Sequence, residues 1–352
     1  MPSAHSAHSF VSGCGSIWHC NDQRRSMVPC GEYLLGLLDR SGFVAFCRAE
    51  PLSEKSYTMK FGIYRLHEPL KETELACIEE TYGTAIDIVS VFRAWNRCDI
   101  EDDLSWLDHL RSAARDILMT WEPWMLPAGA ERPYDQPDFA LKNIIAGRYD
   151  NYIRSFAREL SSFPRTIFLR VLHEMNGNWY PWCGTVNGNS PGDFISAWDH
   201  IRNLVNREAP FRIKWVWSPY ANSYPLTPYN RMQDYFPGDE VVDWLAIDGY
   251  NWGCDREWSQ WQSFEDIFSD AYKTLTALSH CPIMIGEMAS TGTGGSKGAW
   301  ITEALHVIET KFPRIQAVIW FDVHKECDWR IASSFESLEA FRSGITSFKR
   351  MT

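Results

Sequence analysis

Thr166-Ile-Phe-Leu-Arg-Val-Leu172 runs straight into His173-Glu-Met-Asn-Gly-Asn-Trp-Tyr-Pro-Trp182. An almost wholly apolar run ends abruptly in acid, amide and aromatic side chains. Such a run reads as a strand covered on both faces, as in a parallel sheet. Seven more runs of the same kind flank it: Met59–Tyr64, Ile86–Phe92, Asp116–Thr120, Ile213–Trp217, Trp244–Asp248, Pro282–Gly286 and Gln316–Phe321. Amphipathic segments alternate with them. Tyr149, Ile153, Phe156 and Leu160 step by four, three and four. So do Phe194, Trp198, Ile201 and Val205, and Phe264, Phe268, Ala271, Leu275 and Leu278 continue the pattern. Leu338, Phe341, Ile345 and Phe348 close the series. Each set is one helical stripe. Two starts carry caps, Ser190-Pro-Gly-Asp193 and Ser263-Phe-Glu-Asp266.

Eight strands alternating with helices predict an α/β chain folded as a (β/α)8 TIM barrel. The rival is a doubly wound open sheet, but no G-x-G-x-x-G follows the first strand. Residues 56–352 are assigned to a single barrel domain, and 1–55 to an irregular N-terminal extension. The longest apolar stretch, Tyr33–Asp39, falls short of the roughly 18 residues a membrane helix needs. Met1 to Ser26 holds no apolar core of a secretory signal, so a cytoplasmic location is the expectation for the chain as it stands, with localisation left open. A trimmed start or non-standard export would place it outside the cell.

Composition narrows the function. The net charge is −11, which argues against nucleic acid as a partner, since phosphate binding wants a basic face. The ten Cys are scattered without a C-x-x-C pair and read as small buried hydrophobes. Cys14, His19, Cys20 and Cys30 fit no zinc template, so no metal is expected. Tryptophan is the anomaly, at 17 residues. Indoles in such number either fill a core or line a groove for a flat ligand such as a sugar ring.

The strand ends favour the groove, because barrel chemistry sits at the C-terminal ends of strands. Read in order, they deliver Trp95-Asn96, Trp121-Glu122-Pro-Trp124 and His173 to Trp182. Trp217-Ser218-Pro-Tyr220, Asp248-Gly-Tyr250-Asn251-Trp252, Glu287 and Trp320-Phe321-Asp322 follow. Glu174 and Glu287 stand out. A carboxylate after a wholly apolar strand is costly to desolvate unless paired or useful. Two facing carboxylates suit glycoside hydrolysis, one protonating the leaving oxygen and the other attacking the anomeric carbon or activating water. A separation of about 5–5.5 Å gives retention, and about 6.5–9.5 Å gives inversion. The competing reading is structural: salt bridges to Arg93 or Arg170. Neither reading needs a cofactor.

At this point the motifs are recognisable. His173–Trp182 resembles the acid/base motif of glycoside hydrolase family 26. Trp215-Val-Trp-Ser-Pro219, Asp248-Gly-Tyr-Asn-Trp252, Ile285-Gly-Glu287 and Trp320-Phe321 follow in that family's order, spanning about residues 58–345. The family holds β-mannanases, mixed-linkage β-glucanases and β-1,3-xylanases, all retaining barrels. The resemblance implies that Glu174 is the general acid/base and Glu287 the nucleophile. It implies that His173 bonds the sugar at the cleaved subsite and that Trp179 supports the leaving group. Tyr250 would hold the nucleophile, with Asp248 in the same polar network, and Trp320 would be the sugar platform. Trp124, Trp217, Trp252, Glu122 and Asn176 complete the expected substrate-binding set.

Three positions depart from the family: Tyr220 where Asn is usual, Cys183 interrupting a Trp-Gly, and a Gly-rich loop at Thr291–Lys297. All three are expected on the groove walls. The expected activity is endo-cleavage of a β-linked polysaccharide, first β-1,4-mannan. A mixed-linkage β-1,3-1,4-glucan or a cell-made exopolysaccharide is the alternative substrate. A non-catalytic carbohydrate-binding barrel is the alternative of another class. Oligomeric state is not readable.

Overall fold

The computed structural model describes residues 59–65, 71–95, 115–126, 133–210 and 212–349. The expected N-terminal extension, the Cys14/His19/Cys20/Cys30 group and Asn96 lie outside the described residues. Eight parallel strands close into a barrel in chain order. They are β1 (Lys60–Tyr64), β2 (Ile88–Ala94), β3 (Asp116–Glu122) and β4 (Ile167–Val171), then β5 (Ile213–Trp217), β6 (Trp244–Asn251), β7 (Ile283–Ser290) and β8 (Ile315–Phe321). Outside them pack α1 (Glu72–Tyr82), α2 (Leu141–Ile145), α3 (Asp150–Ser161), α4 (Pro191–Glu208), α5 (Phe264–Leu278), α6 (Lys297–Lys311) and α7 (Phe335–Phe348). The caps expected at α4 and α5 form, with Ser190 accepting from the Asp193 amide and Ser263 from the Asp266 amide. Among the described residues no helix is long and apolar enough to cross a membrane. Cys77, Cys183, Cys254, Cys281 and Cys327 are free thiols.

Side chains on a strand alternate between faces, so every second residue faces the barrel axis. Towards the lower part of the barrel these are Ile88, Leu118, Phe168, Val216, Ala246, Met284, Ala317 and Ile319, a buried cluster of their own. Each large member contributes about 1.5–3 kcal/mol by leaving water. β1 contributes Gly62, where a Cβ would lie 2.9 Å from both Ile319 and Ile88. Two residues further along the strands the layer turns polar: Ser90, Thr120, Arg170, Ser218 and Asp248, all buried. The next level brings Tyr64, Phe92, Glu122, Tyr250 and Phe321 to the floor of a cleft.

Strand β7 breaks the alternation where it matters. Its pairing with β6 shifts register between Ile247 and Asp248, so that Asp248 lies opposite Glu287. The pairing with β8 shifts as well. A bulge adds one residue and turns the following side chain to the other face. Glu287, which strict alternation would point outward, therefore joins Asp248 inside.

Candidate active site

The cleft at the C-terminal ends of the strands holds about 780 Å³. Glu174 and Glu287 face each other across it. Carboxylate oxygens of Glu174, Asp248 and Glu287 all come within 4.8 Å of one another. Such a spacing could also suit a cation, but the Arg170 guanidinium already supplies positive charge there.

Each group is held. Arg170 is fully buried and donates from Nη1 to Asp248 Oδ1 at 2.8 Å and from Nη2 to Glu287 Oε1 at 2.5 Å. Its Nε and Nη2 also bond the Thr120 hydroxyl. Ser218 donates to Asp248 Oδ2 at 2.9 Å. Tyr250 donates its hydroxyl to the second Glu287 oxygen. Burial and the Glu287 charge push that hydroxyl well above its ordinary range, so it keeps its proton. Gly286 is a requirement here, since a Cβ would lie 2.5 Å from Asp248 Oδ1 and 2.9 Å from Arg170 Nη1.

Glu174 reaches the cleft through backbone strain. The chain leaves β4 with Leu172 at φ 54° and Glu174 at φ 52°, left-handed values rare for such residues. The Glu174 amide donates to Ser218 O at 2.7 Å, which fixes the turn. Burial is the main reason its carboxyl titrates well above the ordinary range, with Glu287 and Asp248 adding repulsion. Trp179 Nε1 donates to Glu174 Oε2 at 2.6 Å and favours the ionised form. Gly177 makes that contact possible, because a Cβ would overlap the Trp179 ring at 2.6 Å. Burial likewise raises Asp248 and Glu122 to about 8 each. One guanidinium cannot neutralise this many carboxyl groups, so protons remain on some of them near neutral pH.

A general acid works only while protonated, so if Glu174 has the acid/base role that the motif implies, turnover falls as pH rises through its pKa. Trp179→Phe removes the N–H that lowers this pKa. The alkaline limb of kcat is expected to move to higher pH, measured by initial rates across pH. An unmoved or acid-shifted limb would sink the assignment.

Several expected contacts lie elsewhere in the structure. Trp217 and Trp320 do not line the cleft, because they have the outward parity of their strands. Trp217 packs on Phe236 with ring centres 5.2 Å apart, and Trp320 on Trp300 of α6 at 5.9 Å. Trp121 stacks on Phe156 of α3 at 4.5 Å for the same reason. Trp95 and Trp182 are buried too. Trp329, from the β8–α7 loop, faces the cleft and accepts the Trp320 indole N–H on its carbonyl at 2.8 Å. Asn176 is buried and ties two loops, donating to Tyr220 O and accepting from Tyr220 N, both at 2.9 Å. His173 is buried behind Tyr180, with Nε2 3.2 Å from the Tyr180 hydroxyl and 3.9 Å from Glu122. Burial, then Arg170, keeps it neutral. Asp248 lies beneath the floor and not on it.

Trp124, Trp179, Tyr250, Trp252 and Glu122 do line the cleft. Trp124 Nε1 donates to Glu122 at 3.2 Å. Of the three departures from the family pattern, only Tyr220 reaches the wall, with its ring edge-on to Trp179 at 5.2 Å. Cys183 is buried behind Glu174, where burial pushes the thiol up to about 12. Residues 291–297 are not part of the lining. Sequence reasoning missed Tyr224, Trp258 and Trp329. Trp258 and Trp329 stand several residues beyond their strand ends, where position along a strand gives no signal.

The sequence pattern described as Glycosyl hydrolase family 26 matches residues 134–332, more than half of the chain. The chain belongs to glycosyl hydrolase family 26. A family relative, "Endoglucanase H" of Acetivibrio thermocellus, is 35% identical over 321 residues, covering 89% of this chain and 33% of that protein. A "Mannan endo-1,4-beta-mannosidase" of Bacillus subtilis is 27% identical over 172 residues, covering 47% of this chain and 41% of the relative. The chain thus spans only about a third to two fifths of the length of these two. Among solved structures, a family 26 β-mannanase from Bacteroides ovatus aligns with a TM-score of 0.60 and 17% identity. It covers 84% of this chain and 90% of that one, and at this identity it speaks for the fold alone.

Proposed function

We propose that this chain is a retaining, endo-acting hydrolase of a β-linked polysaccharide. The observation that carries the reading is the approach of Glu174 and Glu287 to within 4.8 Å across an aromatic cleft. One carboxylate oxygen of each lies within that distance of the other, in keeping with the about 5–5.5 Å between the carboxyl groups of a retaining pair. Protonated Glu174 gives its proton to the glycosidic oxygen as that bond breaks. Glu287 attacks the anomeric carbon and forms a covalent glycosyl-enzyme. Glu174, now a carboxylate, takes a proton from water, and the water oxygen displaces Glu287 with the original configuration restored. Arg170 and Tyr250 hold the two Glu287 oxygens, so attack needs little reorganisation. Tyr64 and Phe321, stacked at 4.6 Å, and Trp329 offer faces to sugar rings.

The test is proton NMR of early hydrolysis products. The β-anomer should appear first and then mutarotate; an α-anomer first would overturn retention. β-1,4-Mannan is the first substrate. A mixed-linkage β-glucan is the second reading, favoured by the 35% identity to a relative named Endoglucanase H across most of the chain. Reducing-end release from mannan, lichenan, xylan and a microbial exopolysaccharide separates them. Binding without any release would point to the non-catalytic barrel.

A further inference from the structure

The loop after β6 carries an indole that the chemistry above does not use. Trp258 lines the same cleft as Glu174 and Glu287, yet it is 70% exposed. Its ring centre lies 5.3 Å from Trp252, which lies 4.9 Å from Trp329. Trp329 in turn packs 5.3 Å from Tyr250, the residue that bonds Glu287. A row of rings therefore leads outward from the nucleophile to Trp258.

The loop is built to hold this indole in place. Gly253 turns the chain at φ 51°, where a Cβ would lie 2.1 Å from Thr293 O. Ser259 Oγ donates to Gly253 O at 2.8 Å. Arg256 Nη2 donates to Glu326 O at 3.0 Å, joining this loop to the one that carries Trp329. The same guanidinium lies 5.7 Å from the Trp252 ring centre. An indole kept in water on a pinned loop forgoes the gain of burial, and a rigid contact needs little further ordering when a ligand arrives. Its flat apolar face suits the C–H face of a pyranose ring.

We infer that Trp258 is the platform of a distal sugar subsite, at least one residue removed from the bond cleaved, for the same polysaccharide chain that occupies the cleft. The inference rests on the reading of the cleft as a polysaccharide site. It makes Trp258 a specificity-determining residue that favours long chains over short ones. The test compares wild type, Trp258→Ala and Trp258→Phe on the preferred polymer and on an aryl glycoside of a disaccharide. Trp258→Ala should lose about tenfold in kcat/KM on the polymer, the scale of one aromatic stacking contact. The short substrate should be unchanged, and Trp258→Phe should fall between. Unchanged polymer turnover overturns the inference, as does an equal loss on both substrates. Mannohexaose and cellohexaose are also titrated calorimetrically into wild type and Trp258→Ala. If the wild type cleaves no β-glycan, the hydrolase reading fails. Weaker hexasaccharide binding by Trp258→Ala would then still sustain the subsite, and equal binding would remove it.

Discussion

Glu287→Gln is expected to stop hydrolysis while leaving the fold in place. The amide keeps hydrogen-bonding atoms for Arg170 and Tyr250 but cannot form the glycosyl-enzyme. The loss in kcat should be on the order of 10⁵–10⁶, as for other removed nucleophiles. Glu174→Gln should lose less, about 10²–10⁴, because it removes proton transfer alone. The Glu174 loss should also shrink for aryl glycosides whose phenol leaves without a proton, whereas the Glu287 loss should not. This contrast separates catalysis from the structural reading, in which Glu287 merely pairs with Arg170. The pairing is real, at 2.5 Å, so structure alone supports both roles. A structural carboxylate predicts a large fall in Tm with turnover retained. A catalytic one predicts turnover gone whatever the fall in Tm, read by circular dichroism, because neutralising a partner of buried Arg170 costs stability under either reading. Wild-type-like kcat in either variant would sink the assignment.

The barrel was legible because eight apolar runs separated by helical stripes leave few other arrangements. The site was legible as residue types at strand ends, and less so as side-chain directions. Position at a strand end puts Trp217 in the groove, and for Trp320 the family resemblance adds to position. Parity along their strands sends both outward, and counting from Val216 and Ile319 would have separated them from Ser218 and Phe321. Parity would then have misplaced Glu287, whose inward turn depends on the register shift in β7. Nothing local in Ile285-Gly-Glu287 marks a bulge except the glycine. His173 and Glu174 are adjacent, and the left-handed Glu174 backbone sends only the second into the cleft. Such strain is set by the surrounding structure and not by the residue's own preference. Arg170 was visible only as a possible ion-pair partner. Its inward position follows from Phe168 two residues earlier.

Arg170→Met carries the second large effect. The guanidinium makes bonds to Thr120, Asp248 and Glu287 from full burial. Methionine fills much of the volume but leaves two carboxyl groups facing each other without a cation. Breaking a buried pair in this way costs about 3–5 kcal/mol, which in a domain of this size lowers Tm by roughly 5–15 °C. Catalysis suffers separately. Arg170 lowers the pKa of both Glu174 and Asp248, so its loss raises both. The alkaline limb of kcat should move to higher pH while kcat itself falls, because Glu287 loses its orientation. Arg170→Lys keeps the charge but cannot span three partners from a single ammonium. It should recover part of the stability and little of the rate. A second substitution tests the electrostatic origin. Asp248→Asn in the Arg170→Met background removes a carboxyl group that can stay buried there only by taking up a proton, so the double variant should be more stable than Arg170→Met alone. Such a non-additive gain is what a shared buried charge network requires. Simple addition of the two losses would mean that Arg170 acts by packing alone.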